Sequence, residues 1–220
     1  VFVTRKAKVM GGSSVGTLFF VVALYGWMGG SADQRDILDI AYRYPDGGSY
    51  RWEGTGTPVS VKHKGVVLAE KCEGWTYCNG YTFAVVMEAA EQRGLLDDIP
   101  IDPMWFFKRQ WYASAEGSAE RGTQLAMQTL GIGRSVSPWK ARPGDFIYWQ
   151  RPLFKSAHSA IFLDWVKKNG KIIGFRYRGS QPTSDGIGDE QELFTSSGFV
   201  GAGTPPDRFY VARLNPGKRG

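Results

Sequence analysis

The chain has 220 residues, 42% of them hydrophobic and 14% aromatic, enough for one compact domain with its own core. Charged residues make up 22%, which excludes global disorder. The formal net charge of +6 draws three of its charges from Arg5, Lys6 and Lys8, and the rest of the chain has no dense basic stripe or nucleic-acid motif. The mild surplus suits an anionic surface such as a cell wall or lipid headgroups and gives no reason to expect a nucleic-acid partner.

Residues 1–32 run from basic (Arg5–Lys8) to apolar (Val15–Met28) to small (Gly29–Ala32), the order of a secretory signal peptide or signal-anchor. The apolar run is shorter than the roughly 20 residues of a full membrane span. An exported protein is expected, periplasmic, secreted or held at the membrane through residues 15–28, with a domain over 33–215 and a basic tail at 216–220. In the domain, Asp33–Tyr44 reads as a short helix that Pro45–Gly48 breaks. Ser49–Lys71 reads as a long loop with one short strand at Gly65–Ala69. Cys78–Arg93 carries two adjacent apolar stripes, the pattern of a central buried helix, and Gly94 ends it. Helices follow at Pro103–Ala113 and Ser118–Leu130. The periodicity then changes, and Gly144–Gln150, Ala157–Lys167, Lys171–Arg178 and Arg208–Leu214 read as strands. Asn169-Gly170 is a two-residue hairpin signal. Helices first and antiparallel strands afterwards predict an α+β domain.

The chain holds two cysteines, Cys72 and Cys78, and two histidines, His63 and His158. Their spacings match no short zinc pattern, and no metal site is expected. Cys78 sits where a loop enters the buried helix. Free N–H groups and the helix dipole at such a position favour a thiolate, and the same N–H groups hold an oxyanion. Read alone, Cys78 is more readily a small buried hydrophobe than a nucleophile. His158 opens a strand, the place from which an imidazole pairs with a helix-capping thiol, and is otherwise one more hydrogen-bonded histidine. With Asn169-Gly170 as a two-residue loop, Lys168 opposes Lys171 and Gln181 opposes His158. Gln181 is then the group that orients the imidazole, and a one-residue bulge would put Ser180 there instead. The rival reading makes Gly179–Gly188 a polar loop, and Asp185 and Asp164 are the competing acids. The active enzyme is expected to keep both thiols unbridged, with Cys72 a bystander.

Four segments in order resemble the NlpC/P60 peptidases. Tyr50-Arg51-Trp52-Glu53-Gly54 is similar to their Tyr-x-Trp-Gly-Gly segment. Cys78-Asn79-Gly80-Tyr81 is similar to their Cys-Ser-Gly nucleophile motif. Arg142-Pro143-Gly144-Asp145-Phe146-Ile147-Tyr148-Trp149 and His158-Ser159-Ala160-Ile161-Phe162-Leu163 resemble their Pro-Gly-Asp and His-Val-Gly strands. The resemblance implies a papain-like fold, its nucleophile-bearing helix packed on an antiparallel sheet, and a cysteine hydrolase cutting amide bonds, commonly in peptidoglycan stem peptides. Amidase-like CHAP enzymes are near relatives in this logic. Cys78, His158 and Gln181 are the expected catalytic residues, and Tyr50, Trp52, Trp75 and Ser180 the expected substrate-binding ones. Asn79 and Glu53 depart from the family pattern, and the long segments before Cys78 and between Gly94 and Gly131 leave the substrate open. No cofactor is needed, the partner is peptidoglycan or a peptide, and a monomer is expected. The rivals are a transglutaminase-like acyl transferase and a non-catalytic wall-binding module.

Overall fold

The computed structural model describes residues 34–117, 121–151, 156–195 and 203–217. The signal-like segment and the end of the basic tail lie outside the described residues. Among the described residues four α-helices form: α1 (Arg35–Arg43), α2 (Cys78–Gln92), α3 (Ile101–Trp111) and α4 (Gly122–Leu130). Pro103 stands in the first turn of α3, where its missing N–H costs no hydrogen bond, so the helix starts two residues before the proline.

The strands are β1 (Gly47–Gly48), β2 (Val61–His63), β3 (Val66–Ala69), β4 (Gly133–Val136), β5 (Phe146–Arg151), β6 (Ser156–Lys168), β7 (Lys171–Gln181), β8 (Gly186–Leu193) and β9 (Phe209–Leu214). Seven of them make one antiparallel sheet in the order β1-β8-β7-β6-β5-β9-β4, and β2 and β3 form a separate hairpin. The domain is therefore α+β. β1 and β2 lie in segments expected as a turn and a loop, and β4 and β8 lie where no strand was expected. Their sequences, Gly-Arg-Ser-Val and Gly-Ile-Gly-Asp-Glu-Gln-Glu-Leu, lack apolar alternation. β4 pairs with β9, the Gln124 amide donating to both Ser135 and the Val211 carbonyl, while β8 is tied down by Arg178 on Asp189 and Arg151 on Glu192. The polar-loop alternative for Gly179–Gly188 is corrected accordingly: the end of β7, a short turn and the start of β8 occupy it.

Two cores flank the sheet. One holds the helices, with Phe83, Val86, Trp111 and Met127 packed on Phe146, Ile161, Ala212 and Leu214. The other lies on the opposite face and consists mainly of strand residues, among them Ile147, Trp149, Ala160, Phe162, Phe175 and Tyr177. Alternation along β6 therefore sends Ser159 and Ile161 toward α2, and His158 and Ala160 away from it.

The first turn of α2 presses against a neighbouring loop. A Cβ at Gly80 would lie 2.2 Å from the backbone carbonyl of Gly56 and 2.3 Å from that of Thr55. Gly56, at φ +59°, in turn leaves room for the Tyr77 ring. Backbone cannot yield as a flexible side chain does. Gly80→Ala is therefore expected to destabilise by about 1–3 kcal/mol, the usual cost of overpacking, read as a drop in thermal midpoint. An unchanged midpoint would show that the loop yields freely.

Candidate functional site

Cys78 is the first residue of α2, and the preceding Tyr77 caps the helix with extended backbone and no side-chain hydrogen bond. The first N–H groups of the helix are thus left without an intrahelical or capping partner. Cys78 itself is buried. Its thiol donates to Asn79 Oδ1 at 3.6 Å, and the main-chain N–H of Ser159 points at the sulfur. Asn79 Oδ1 also accepts from Ser159 Oγ at 2.6 Å, and Ser159 Oγ lies 3.0 Å from Thr82 Oγ1 one turn further along α2. Burial pushes the Cys78 thiol pKa up, against the N–H groups of Ser159, Asn79 and Cys78, which favour the thiolate.

His158 is adjacent to Ser159 in the chain, and its ring leans to the other side of the sheet. It packs edge-on against Trp149 at 4.7 Å and Tyr177 at 5.7 Å between ring centroids. No hydrogen bond between described residues joins it to Cys78. Burial, then the nearby Arg151 guanidinium, lower its pKa to about 3, with Gln181 acting in the opposite sense. At rest the pair is a thiol and a neutral imidazole, not the thiolate–imidazolium pair that the helix terminus alone suggests.

Gln181 lies beside the imidazole. The β6–β7 hairpin begins with Lys168 opposite Lys171, slips at Val166/Lys167, slips back between Phe162 and Asp164, and returns to its original register at Ile161↔Arg178. Continued from there, the register sets Gln181 across from His158. The Gln181 amide donates to Ser184 Oγ at 2.6 Å and to the Gly188 carbonyl at 3.3 Å. A carbonyl can only accept, so Oε1 is turned toward His158. His158 Nε2 and Gln181 Oε1 both lack a hydrogen bond of ordinary geometry, and both lie within 3.5 Å of where a Cβ on Gly179 would sit. Gly179 leaves the opening across which they face each other.

The other expected residues divide by position. Ser180 lies on the α2 side, 2.8 Å from Thr76 Oγ1, and is not beside the imidazole. Tyr50 bridges to Thr76, and burial followed by the charge of Cys78 pushes its pKa up to about 12. Trp52 is 70% exposed and stacks on Tyr77, and Trp75 carries the Arg51 guanidinium over its ring. Asp185 accepts from the Tyr50 N–H at 3.1 Å, and Asp164 caps the N–H of Trp165, so both acids are engaged away from His158. His63 is held by the Ile99 carbonyl at 2.7 Å. Among the described residues no cluster of three or more His, Cys, Asp or Glu could hold a metal. Asn79, Ser159, Thr82 and Gly179 were not among the expected site residues. Strand alternation beside a candidate histidine was the available signal for Ser159.

Cys72 and Cys78 are both free thiols. Burial works against a Cys72 thiolate, but hydrogen bonds from the Thr55 hydroxyl and from the N–H groups of Gly56, Thr55 and Thr57 outweigh it and bring its pKa below the ordinary value. The Gly56 N–H lies 3.2 Å from its sulfur. No protein-family model, curated protein or solved structure matches the chain.

Two measurements follow from these shifts. In the resting protein at pH 7, iodoacetamide is expected to alkylate Cys72 faster than Cys78, with Cys78 gaining as pH rises past 9. Cys78 alkylated first at neutral pH would mean that an ion pair exists in solution. His158 is neutral in the fold down to about pH 3, whereas in the unfolded chain it protonates near 6.5. Stability is therefore lost as pH falls through that window, by at most about 1.4 kcal/mol per pH unit. Replacing His158 with Gln should flatten urea-midpoint profiles between pH 7 and 4, and parallel profiles would refute a buried neutral imidazole.

Proposed function

We propose that the protein is a cysteine hydrolase of amide bonds with a papain-like arrangement of the NlpC/P60 kind, acting on peptidoglycan stem peptides outside the cytoplasm. The observation that carries this reading is the setting of Cys78. Its sulfur sits at the uncapped end of a buried helix against the main-chain N–H of the residue after His158, while the amide oxygen of Gln181 faces the imidazole.

In this mechanism His158 acts as a base from its neutral state. The imidazole turns toward Cys78 when substrate is bound, in keeping with catalytic hydrogen bonds that tighten only in the Michaelis complex. Nδ1 takes the thiol proton as Sγ bonds to the carbonyl carbon, and the free N–H groups at the start of α2 hold the oxyanion. The proton passes to the leaving amine as the C–N bond breaks. His158 then deprotonates a water molecule, which attacks the thioester, and the C–S bond breaks to restore the thiol. Gln181 fixes the tautomer by accepting from Nε2–H.

The test is incubation with purified peptidoglycan and mass analysis of the released fragments. Wild type should release peptides with new termini. Cys78→Ala should release none while keeping its thermal midpoint within a few degrees, because the lost sulfur costs little packing. Cys72→Ser should keep activity. Activity of the folded Cys78→Ala protein within a few-fold of wild type would end this reading. Fusing residues 1–40 to a reporter active only after export tests location separately, and a silent reporter would refute export alone.

A further inference from the structure

Next to Tyr77, on the α3 side of the molecule, lies a cavity of about 520 Å³, within the ~300–1,000 Å³ of small-ligand sites. Its aromatic wall is Tyr77 and Tyr112, set edge to face at 6.0 Å, with Trp105 at the rim. The rings are held from behind: Tyr77 donates its hydroxyl to the Gly54 carbonyl at 3.2 Å and Tyr112 to that of Thr55 at 2.7 Å. Two cations, Lys108 and Arg109, also line it, and no carboxylate does.

Both cations are pre-positioned without being neutralised. Lys108 Nζ donates to the Leu68 carbonyl at 2.6 Å, which pins the ammonium and leaves two of its three donors for a ligand. The Arg109 guanidinium lies 5.6 Å over the Phe106 ring. Among the described residues neither has an acidic partner, whereas six other cations do. An aromatic wall beside two unneutralised donors fits an apolar group bearing a carboxylate. Tyr77 immediately precedes Cys78 in the chain, and Cys78 acts electrostatically on both Tyr77 and Tyr112, which puts the cavity in the neighbourhood of the sulfur.

We propose that this cavity is a carboxylate subsite, and that preferred substrates are peptides with a free carboxylate on an apolar residue near the cleaved bond. Its role as a substrate subsite rests on the amide-hydrolase reading, but carboxylate binding can be tested without turnover.

The probes are N-acetylphenylalanine and its primary amide, titrated calorimetrically into the full chain carrying Cys78→Ala. The acid should bind about tenfold more tightly than the amide, the usual worth of a charge-assisted hydrogen bond. Arg109→Ala in the same background should abolish that preference and leave the amide's affinity unchanged. Arg109 is a surface residue of α3, and an unchanged thermal midpoint confirms folding. Equal binding of acid and amide, no binding of either, or a preference that survives Arg109→Ala overturns the subsite. A clear acid preference, with the wild-type protein leaving peptidoglycan intact, upholds carboxylate binding and sinks the hydrolase. Cleaved peptidoglycan with no acid preference does the reverse.

Discussion

A buried polar seam between α2 and β6 fixes the site. Thr82 Oγ1 accepts from Trp111 Nε1 at 3.1 Å, meets Ser159 Oγ at 3.0 Å and reaches back to the Cys78 carbonyl at 2.9 Å, while Ser159 Oγ donates to Asn79. Each of these groups would cost about 1–3 kcal/mol if buried without a partner. Together they allow one register of α2 over the sheet. A one-residue slip of β6 would turn Ser159 away and aim His158 at the helix, losing the Ser159 contacts with Thr82 and Asn79. The seam therefore sets both the close approach of Cys78 to β6 and the outward lean of the imidazole.

That lean explains the electrostatics. His158 is enclosed by Trp149 and Tyr177, with the Arg151 guanidinium above Trp149, and each disfavours a positive ring. Cys78 is buried on the helix side, and among the described residues no cation acts on it to hold a thiolate. A thiol with a neutral imidazole carries the same number of protons as the ion pair, so no proton must be gained or lost before reaction. The cost moves to bringing the groups together. Cys72 is the converse case: a shallow sulfur ringed by N–H and hydroxyl donors has the lower pKa without lying on the helix terminus. Depth of burial, rather than the helix dipole, ranks the two thiols.

Where local chemistry dictated structure, the sequence was readable. Asn169-Gly170 set the hairpin because Asn169 at φ 50° and Gly170 at φ 76° adopt the backbone such a turn needs. The two slips inside the hairpin could not be read, yet they cancel, so the register at its far end is the one the turn alone implies. Cys78–Arg93 was legible as a helix from its apolar stripes. By contrast, β8 is acidic and held by ion pairs to residues far along the chain, and β4 is a half-exposed edge. Neither has a local pattern. The carboxylate-lined alternatives to Gln181 were likewise undecidable from sequence, because Asp185 is drawn to the Tyr50 N–H by a contact between distant segments. The signal-like segment falls outside the described residues.

The motif residues that invited a family comparison do structural work. Gly80 admits the backbone of residues 55 and 56. Gly144, at φ +90°, faces the Gln34 carbonyl at a distance no Cβ could accept. Asp145 is fully buried, accepts from the Arg142 N–H at 2.8 Å and binds Arg213 through both oxygens at 2.7 Å, which joins the start of β5 to β9. Removing one partner of such a pair typically costs about 3–5 kcal/mol, because the other charge is left buried alone. These positions constrain the backbone that presents Cys78 and say little about what is bound there. In the proposed reading, specificity would rest instead on segments with no motif, above all α3, whose Lys108 and Arg109 line the cavity beside Tyr77. Short motifs in this chain thus report on how Cys78 is held, while the cations of the proposed carboxylate subsite come from the parts between them.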